Sequence, residues 1–366
     1  MGPAPVVGRP TDPVPRHEDA SSQGPLSAGI EAADFSAIQS LLRCPIDGSR
    51  IVGKPSAQQL ACDAGAHTFA ADTGIPCLFA PNDWPADKRD VTEVVKAFYE
   101  RTPFPNYDGM DSRDSLRRKA GESIFGRLLD DKIPHTAKVL EVGCGTGQMT
   151  NFLGMGRGRT AIGTDLCMNS LRLARDFRDR FSINNAHFLQ ANLFRPPFAP
   201  ASFDVVISNG VLHHTSDCAG AFRSVARLVK PGGVIVIGLY NWLGRLPTLW
   251  LRALIERFGR GAAILDRRLR GAEATGRQEA WYMDQYQHPH ETRHSMDEVL
   301  HWFEAEGFDF TASIPTIGDV EFDYQTSLFE PTSPGRRRDR WSSEMEMLLS
   351  GGTDGGLFVM IGRKRQ

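Results

Sequence analysis

Five short apolar runs recur from Lys138 onward: "KVLEVG" (138–143), "TAIGTD" (160–165), "AHFLQAN" (186–192), "FDVVISNG" (203–210) and "GGVIVIGLY" (232–240). Each is continuous rather than alternating, as in strands buried on both faces of a parallel sheet. Helical patterns separate them, among them "NSLRLARDFRDRF" (169–181) and "AGAFRSVARLVKPGG" (219–233), which is expected to stop as a helix at Gly232-Gly233. Downstream, "MDEVLHWFEAEGFDF" reads as a helix, "FTASIP" as a strand and "GLFVMIGRK" as a final strand. This order predicts an α/β fold, a Rossmann-like doubly wound seven-stranded sheet with a helical insertion after the fifth strand.

In such a sheet ligands sit beyond the carboxyl ends of the strands. Directly after the first run, Gly143, Gly145 and Gly147 fall within five residues, where the backbone can turn sharply and approach a ligand. A dinucleotide loop would carry its third glycine one residue later, where Gln148 stands. On its own the loop leaves open a dinucleotide, another nucleotide-like cofactor, or an ordinary strand-to-helix turn. Its neighbours narrow the choice. Asp165 ends the second run, where a carboxylate can accept from ribose hydroxyls. Asn192 ends the third and Asn209 the fourth, so polar groups follow one rim.

The ordered segments "EVGCGTG", "GTD", "QANLFRPPF", "FDVVISNGVLHH" and "LVKPGGVIVIG" resemble the motifs of class I S-adenosylmethionine-dependent methyltransferases of the type 11, UbiE-like group, over residues 138–240. The resemblance implies S-adenosylmethionine as cofactor and a last strand that is antiparallel. By position, it implies that Glu141, Gly143, Cys144, Gly145 and Gly147 line the methionine and ribose side. Asp165 would hold the ribose, with Leu166 against the adenine. Asn192 stands where the family usually has Asp, near the adenine amino group, with Leu193 beside it. Asn209 completes the cofactor set. His213 and His214 follow the fourth strand, where the acceptor enters and a histidine can act as general base.

Residues 1–37, rich in Pro, Gly, Ser and Ala, cannot bury enough surface to offset their ordering and are expected to be a disordered tail. Residues 38–82 alternate short apolar stretches with Gly and Asp turns, which predicts a small β module. This module resembles the zinc-ribbon domains that accompany some methyltransferases, where two Cys-x-x-Cys pairs hold the metal. Here Asp47 replaces the partner of Cys44, and Gly65 replaces the partner of Cys62. A tetrahedral zinc site needs four good ligands, so the module is expected to be metal-free, even with His67 nearby.

Residues 83–132 are expected to form a helical lid or linker. "DVTEVVKAFYERTPFP" begins with Asp90 as a plausible N-cap and places Val91, Val94, Val95 and Phe98 on one face. A second helix, near 115–130, would place Ile124, Phe125, Leu128 and Leu129 inward. Tyr99, Phe104 and Tyr107 are candidate lid or acceptor contacts, as is Tyr240 at the end of the fifth strand. Residues 133–366 would then be the methyltransferase domain, with an insertion at about 241–290. From Arg245 to Arg277 this insertion holds eight arginines and three acids, with Leu249, Trp250, Leu254, Ile255 and Phe258 at helical spacing. Such a basic amphipathic segment can cap a lipophilic pocket, lie on an anionic membrane or meet RNA phosphates. His288, His290 and His294 follow it, without the acid–histidine helix spacing of a metal site.

The chain has 366 residues, 41% apolar and 23% charged with a net charge of −2, which gives no global basic bias toward nucleic acid. Its beginning lacks the apolar core of a secretory signal, and no run reaches the ~18 apolar residues of a membrane span. Six irregularly spaced cysteines suit a reduced, cytoplasmic setting. The function expected is methyl transfer to a small or medium-sized organic acceptor, lipophilic ones included. An RNA-base methyltransferase and a non-catalytic cofactor-fold partner protein are the alternatives.

Overall fold

The computed structural model describes residues 35–54, 59–105, 107, 111–122, 124–156, 158–270, 276–318, 322–323, 326–350 and 353–366. The expected N-terminal tail lies outside them, apart from residues 35–37. Four short strands, β1 (Ile51–Lys54), β2 (Gln59–Cys62), β3 (Thr68–Asp72) and β4 (Ile75–Pro76), form an antiparallel sheet in chain order. Seven more form the main sheet: β5 (Lys138–Val142), β6 (Thr160–Asp165), β7 (Ala186–Gln190), β8 (Phe203–Asn209), β9 (Val229–Tyr240), β10 (Phe308–Ile314) and β11 (Leu357–Lys364). Their order is β10-β11-β9-β8-β5-β6-β7. The pairs among β5 to β9 are parallel, and β11 runs antiparallel to both β9 and β10. The seven-stranded sheet with an antiparallel last strand is therefore as expected. The strand order reverses between β6 and β8, on either side of β5, and this switch point is where a crevice opens.

Helices cover both faces. Before the sheet come α1 (Thr92–Arg101), α2 (Arg113–Glu122) and α3 (Ile124–Lys132). Within it come α4 (Gln148–Gly154), α5 (Met168–Arg180) and α6 (Cys218–Ala226). The insertion holds α7 (Leu246–Phe258) and α8 (Gly276–Tyr286), and α9 (Met296–Ala305) and α10 (Arg337–Leu349) precede β10 and β11. Leu140, Ile162, Val206 and Ile235 are all fully buried, which explains why these strands read as unbroken apolar runs.

Several boundaries differ from the sequence reading. The helix expected to run to Gly232-Gly233 ends at Ala226, and β9 starts at Val229. Gly232, at φ +74, sits in a bulge where the β8–β9 register shifts between Phe203 and Val205. The Pro-Gly-Gly turn thus opens a strand rather than stopping a helix. Asp90 is not the N-cap of α1, although its carboxylate accepts from the Thr92 N–H at 2.9 Å. Val94 faces solvent while Val91, Val95 and Phe98 are buried. The helix expected near 115–130 is two, α2 and α3. Leu128 and Leu129 are buried as expected, and the side chains of Ile124 and Phe125 lie outside the described residues.

The small sheet is not a separate body. Leu42, Cys44, Ile51, Leu60 and Cys62 share one apolar core with Leu189, Ala191 and Phe198 of the main domain. Cys77 bridges to Gln190 in parallel fashion, and the Leu78 N–H donates to the Gln190 carbonyl at 2.9 Å. The chain after β4 thereby covers the edge strand β7, which would otherwise expose unpaired backbone groups.

Candidate active site

The carboxyl ends of β5, β6, β7 and β8 open on a cavity of about 700 Å³, large enough for a nucleotide-sized ligand. Gly143, Cys144 and Gly145 form its floor, with Glu141, Asp165, Leu166, Asn192, Leu193 and Asn209 around them. The three loop glycines have φ of +75, +51 and +73. A Cβ on Gly145 would come within 2.1 Å of the Phe104 carbonyl oxygen, so only glycine fits beneath the segment that crosses it. Gly147 lies behind the loop, against Ala174 and Phe188, and helps the turn rather than facing the cavity.

Asp165 holds this loop in shape. Its Oδ2 accepts from the Gly145 N–H at 2.8 Å and its Oδ1 from the Cys167 N–H at 2.9 Å. Each oxygen keeps a second lone pair, enough for a pair of hydroxyls. Burial raises the Asp165 carboxyl, opposed by the two backbone N–H donors, while the Glu100 charge adds to the rise. Burial also pushes the Glu141 carboxyl up to about 8, with a hydrogen bond from Thr150 opposing and the Asp165 charge adding. Two acids therefore face one crevice in an environment that favours cationic company.

Asn192 departs from the expectation. It is 1% exposed, and both its amide hydrogens are used, by the Ala80 carbonyl at 2.9 Å and by Asn82 at 2.8 Å. Its oxygen accepts from the Phe194 N–H at 3.0 Å. The amide fastens the chain that leaves the small sheet, a task an aspartate could not perform because it has no donor. Asn192 lines the cavity, but its donors are not offered to a ligand.

The segment after α1 lies over the glycine loop. Phe104 and Pro105 line the cavity, and the Thr146 hydroxyl donates to the Pro105 carbonyl. Glu100 anchors the lid from the other side: its carboxylate accepts from the Met168 and Asn169 N–H groups at 2.8 and 3.3 Å, at the start of α5. Charge at a helix N-terminus satisfies otherwise orphaned donors. Tyr99 lines the cavity. Tyr107 does not: its ring stacks on Phe177 at 4.5 Å and its hydroxyl accepts from Asn151, so it joins the lid to α5.

The same cavity is also lined by Tyr99, His214, Tyr240, Trp281, Asp284 and Gln285. The Tyr99 hydroxyl donates to Asp284 at 2.8 Å, and Gln285 donates to the Tyr240 hydroxyl at 2.9 Å and to Asp284 at 2.8 Å. His214 Nδ1 faces the His290 carbonyl at 2.9 Å. A carbonyl only accepts, so Nδ1 carries the proton and Nε2 holds the basic lone pair. Burial lowers the His214 pKa, opposed by the Asp284 charge, so the ring is neutral at pH 7. His213 is fully buried and absent from the cavity wall, and its ring packs on Tyr240 at 3.9 Å. The two adjacent histidines thus separate into a cavity residue and a packing residue.

The His288 ring packs against the His214 ring at 3.7 Å, tilted by 33°. His290 faces the Thr215 carbonyl, and His294 pairs with Glu298 at 3.0 Å on α9. These three histidines bring no common ligand point together. Asp284, Gln285 and Trp281 were not singled out from the sequence. Tyr99 and Asp284 are 185 positions apart, and no local spacing signals such a pair.

Residues 140–237 match the family model described as a methyltransferase domain, so the segment from β5 to β9 is a methyltransferase domain. S-adenosylmethionine is the cofactor of that domain type. An uncharacterized protein of a Synechococcus strain is 28% identical over 254 residues, which cover 60% of this chain and 59% of that one. The ubiquinone biosynthesis O-methyltransferase of Sodalis glossinidius is 32% identical over 117 residues, covering 32% of this chain and 45% of its own. The 2-phytyl-1,4-naphtoquinone methyltransferase of Thermosynechococcus vestitus is 29% identical over 143 residues, covering 38% and 61%. The chain thus spans about half the length of the curated relatives it matches. Among the described residues, no helix is long and apolar enough to cross a membrane.

Proposed function

We propose that this chain transfers the methyl group of S-adenosylmethionine to a medium-sized, lipophilic acceptor that carries a hydroxyl or phenol. The observation that carries the reading is that one cavity holds two groups of residues. One has the glycine loop, Glu141 and Asp165; the other has His214, Tyr240 and Asp284 set among aromatic side chains.

The cofactor supplies an electrophilic methyl group on a good leaving group. The protein then has mainly to align the reactants, and alignment alone contributes about 7–11 kcal/mol. Asp165 would hold the ribose hydroxyls, and Glu141 would sit beside the cationic end. Phe104 and Pro105, held down on the loop, exclude water from the cavity. His214 Nε2 takes the acceptor's proton, because it is neutral, faces the cavity and is held in one tautomer. Tyr99 and Asp284 orient the acceptor's polar end.

The lipophilic character rests on two supports. The quinone-pathway names of the relatives above are one. The other is the outer face of the insertion, where Trp250, Phe258 and Ile264 are 64–70% exposed beside Arg257 and Arg260, a surface suited to an anionic membrane.

His214→Gln is the test, with His213→Gln as its control. With an accepted substrate, the His214 variant should lose about 10²-fold or more in kcat with little change in KM, as expected on removing a general base. The wild-type rate should also hold below the ordinary histidine pKa of about 6.5. An unchanged kcat in the His214 variant would remove the base role.

A further inference from the structure

In the small sheet, two turns face each other. One, 44–48, carries Cys44 and Asp47; the other, 62–67, carries Cys62 and His67. One ligand atom from each of the four residues lies within 4.8 Å of the others. His67 Nδ1 is 3.6 Å from Cys44 Sγ, 3.8 Å from Cys62 Sγ and 2.9 Å from Asp47 Oδ2. Cys62 Sγ is 3.7 Å from Asp47 Oδ2. A tetrahedron with metal–sulfur bonds of about 2.3 Å and metal–nitrogen or metal–oxygen bonds of about 2.0–2.1 Å has edges of roughly 3.3–3.8 Å. The two sulfur–nitrogen edges and the sulfur–oxygen edge fit this range. The His67–Asp47 edge is short by a few tenths of an ångström and would open on binding.

We propose that Cys44, Asp47, Cys62 and His67 bind a structural zinc ion. The sequence reading found Gly65 at the fourth position and judged the set too poor for zinc even with His67. Gly65 instead has φ +74 and bends the turn so that His67 completes the set. Two thiolates and an imidazole select zinc over magnesium or calcium. Four protein ligands close the site, and none of them lines the cavity, so the ion would be structural.

The surroundings orient the ligands as metal sites require. The Ser49 N–H and hydroxyl hold Asp47 Oδ1 at 2.9 and 2.5 Å, which turns Oδ2 toward His67. The His67 N–H donates to Cys62 Sγ at 3.2 Å. Cys44 and Cys62 are 2% and 1% exposed and belong to the core shared with the main sheet. A zinc ion here would fasten both turns to that core.

The test is metal analysis of the full chain, purified without a histidine tag. About one zinc per chain is expected, falling to near zero in Cys62→Ser. Should that variant fail to fold, the wild type decides alone. Chelation should lower its melting temperature, and cobalt exchange should give the absorption of a tetrahedral thiolate site. Folded wild-type protein that carries no zinc and shows no such cobalt spectrum would overturn the proposal.

Discussion

Glu141 shows how one residue couples the site to pH. Its carboxyl titrates at about 8 in the cofactor-free fold, against about 4.3 for an ordinary glutamate. A folded pKa raised in this way contributes stability that is fully present below about 4.3 and is lost as pH rises through about 8. A cationic ligand beside Glu141 reverses the preference and favours the carboxylate. Cofactor binding at pH 7 should therefore release a proton, and affinity should rise with pH up to about 8. Calorimetry in two buffers of different ionisation enthalpy reads this directly: the observed heats should differ in the wild type and converge in Glu141→Gln. Equal heats in the wild type would show that Glu141 does not titrate on binding. At this scale the sequence was informative where function follows strand position. Glu141, Gly143, Gly145 and Asp165 could be placed at the cavity because they stand at or just after the ends of parallel strands, whereas Gly147 lies behind it. His213 and His214 are adjacent in sequence and equally plausible there; only packing tells them apart.

Among the elements, the insertion was the least legible. Its arginines read as one basic stripe, yet they divide by task. Arg245 is fully buried and spends five N–H donors on Glu291, Gln285 and the Gly355 carbonyl, with its guanidinium 3.7 Å above the Tyr240 ring. Arg260 pairs with Glu279, and Arg268 stacks on Trp281 at 4.1 Å. The apolar positions divide as well: Ile255 is buried while Trp250 and Phe258 face out. Leu251, unremarked in the sequence, is the buried member in their place. Helical spacing gave the period but not the phase, since the face that packs is chosen by α8. Because Arg245 ties α7 to α8 and to the end of the sheet, it sets the wall that carries Asp284 and Gln285. Arg245→Ala should cost about 3–5 kcal/mol in urea unfolding, since it leaves Glu291 buried without its partner. Adding Glu291→Gln should recover part of that loss. A single variant within about 0.5 kcal/mol of the wild type would mean that the pair is not a structural anchor.

Across the whole molecule, the sheet order was legible and the joint between its parts was not. Continuous apolar runs and their helical spacers follow from burial on both sheet faces, so the seven strands could be read in order. The small sheet read as an appendage because nothing local reveals that Leu42 and Phe198 pair across the two parts. Asn192 shows the cost of reading by position: a polar rim residue became the bolt of that joint. The lid and the insertion thus line one crevice together with the strand ends, and everything proposed for it presupposes the cofactor. Calorimetric titration of the full chain with S-adenosylmethionine, alongside Asp165→Ala, tests this most directly. The account predicts a single site per chain in the wild type and affinity weakened at least about tenfold in the variant, a loss of about 1.4 kcal/mol or more. A wild-type chain that takes up no S-adenosylmethionine, or a variant that binds it equally well, would contradict it.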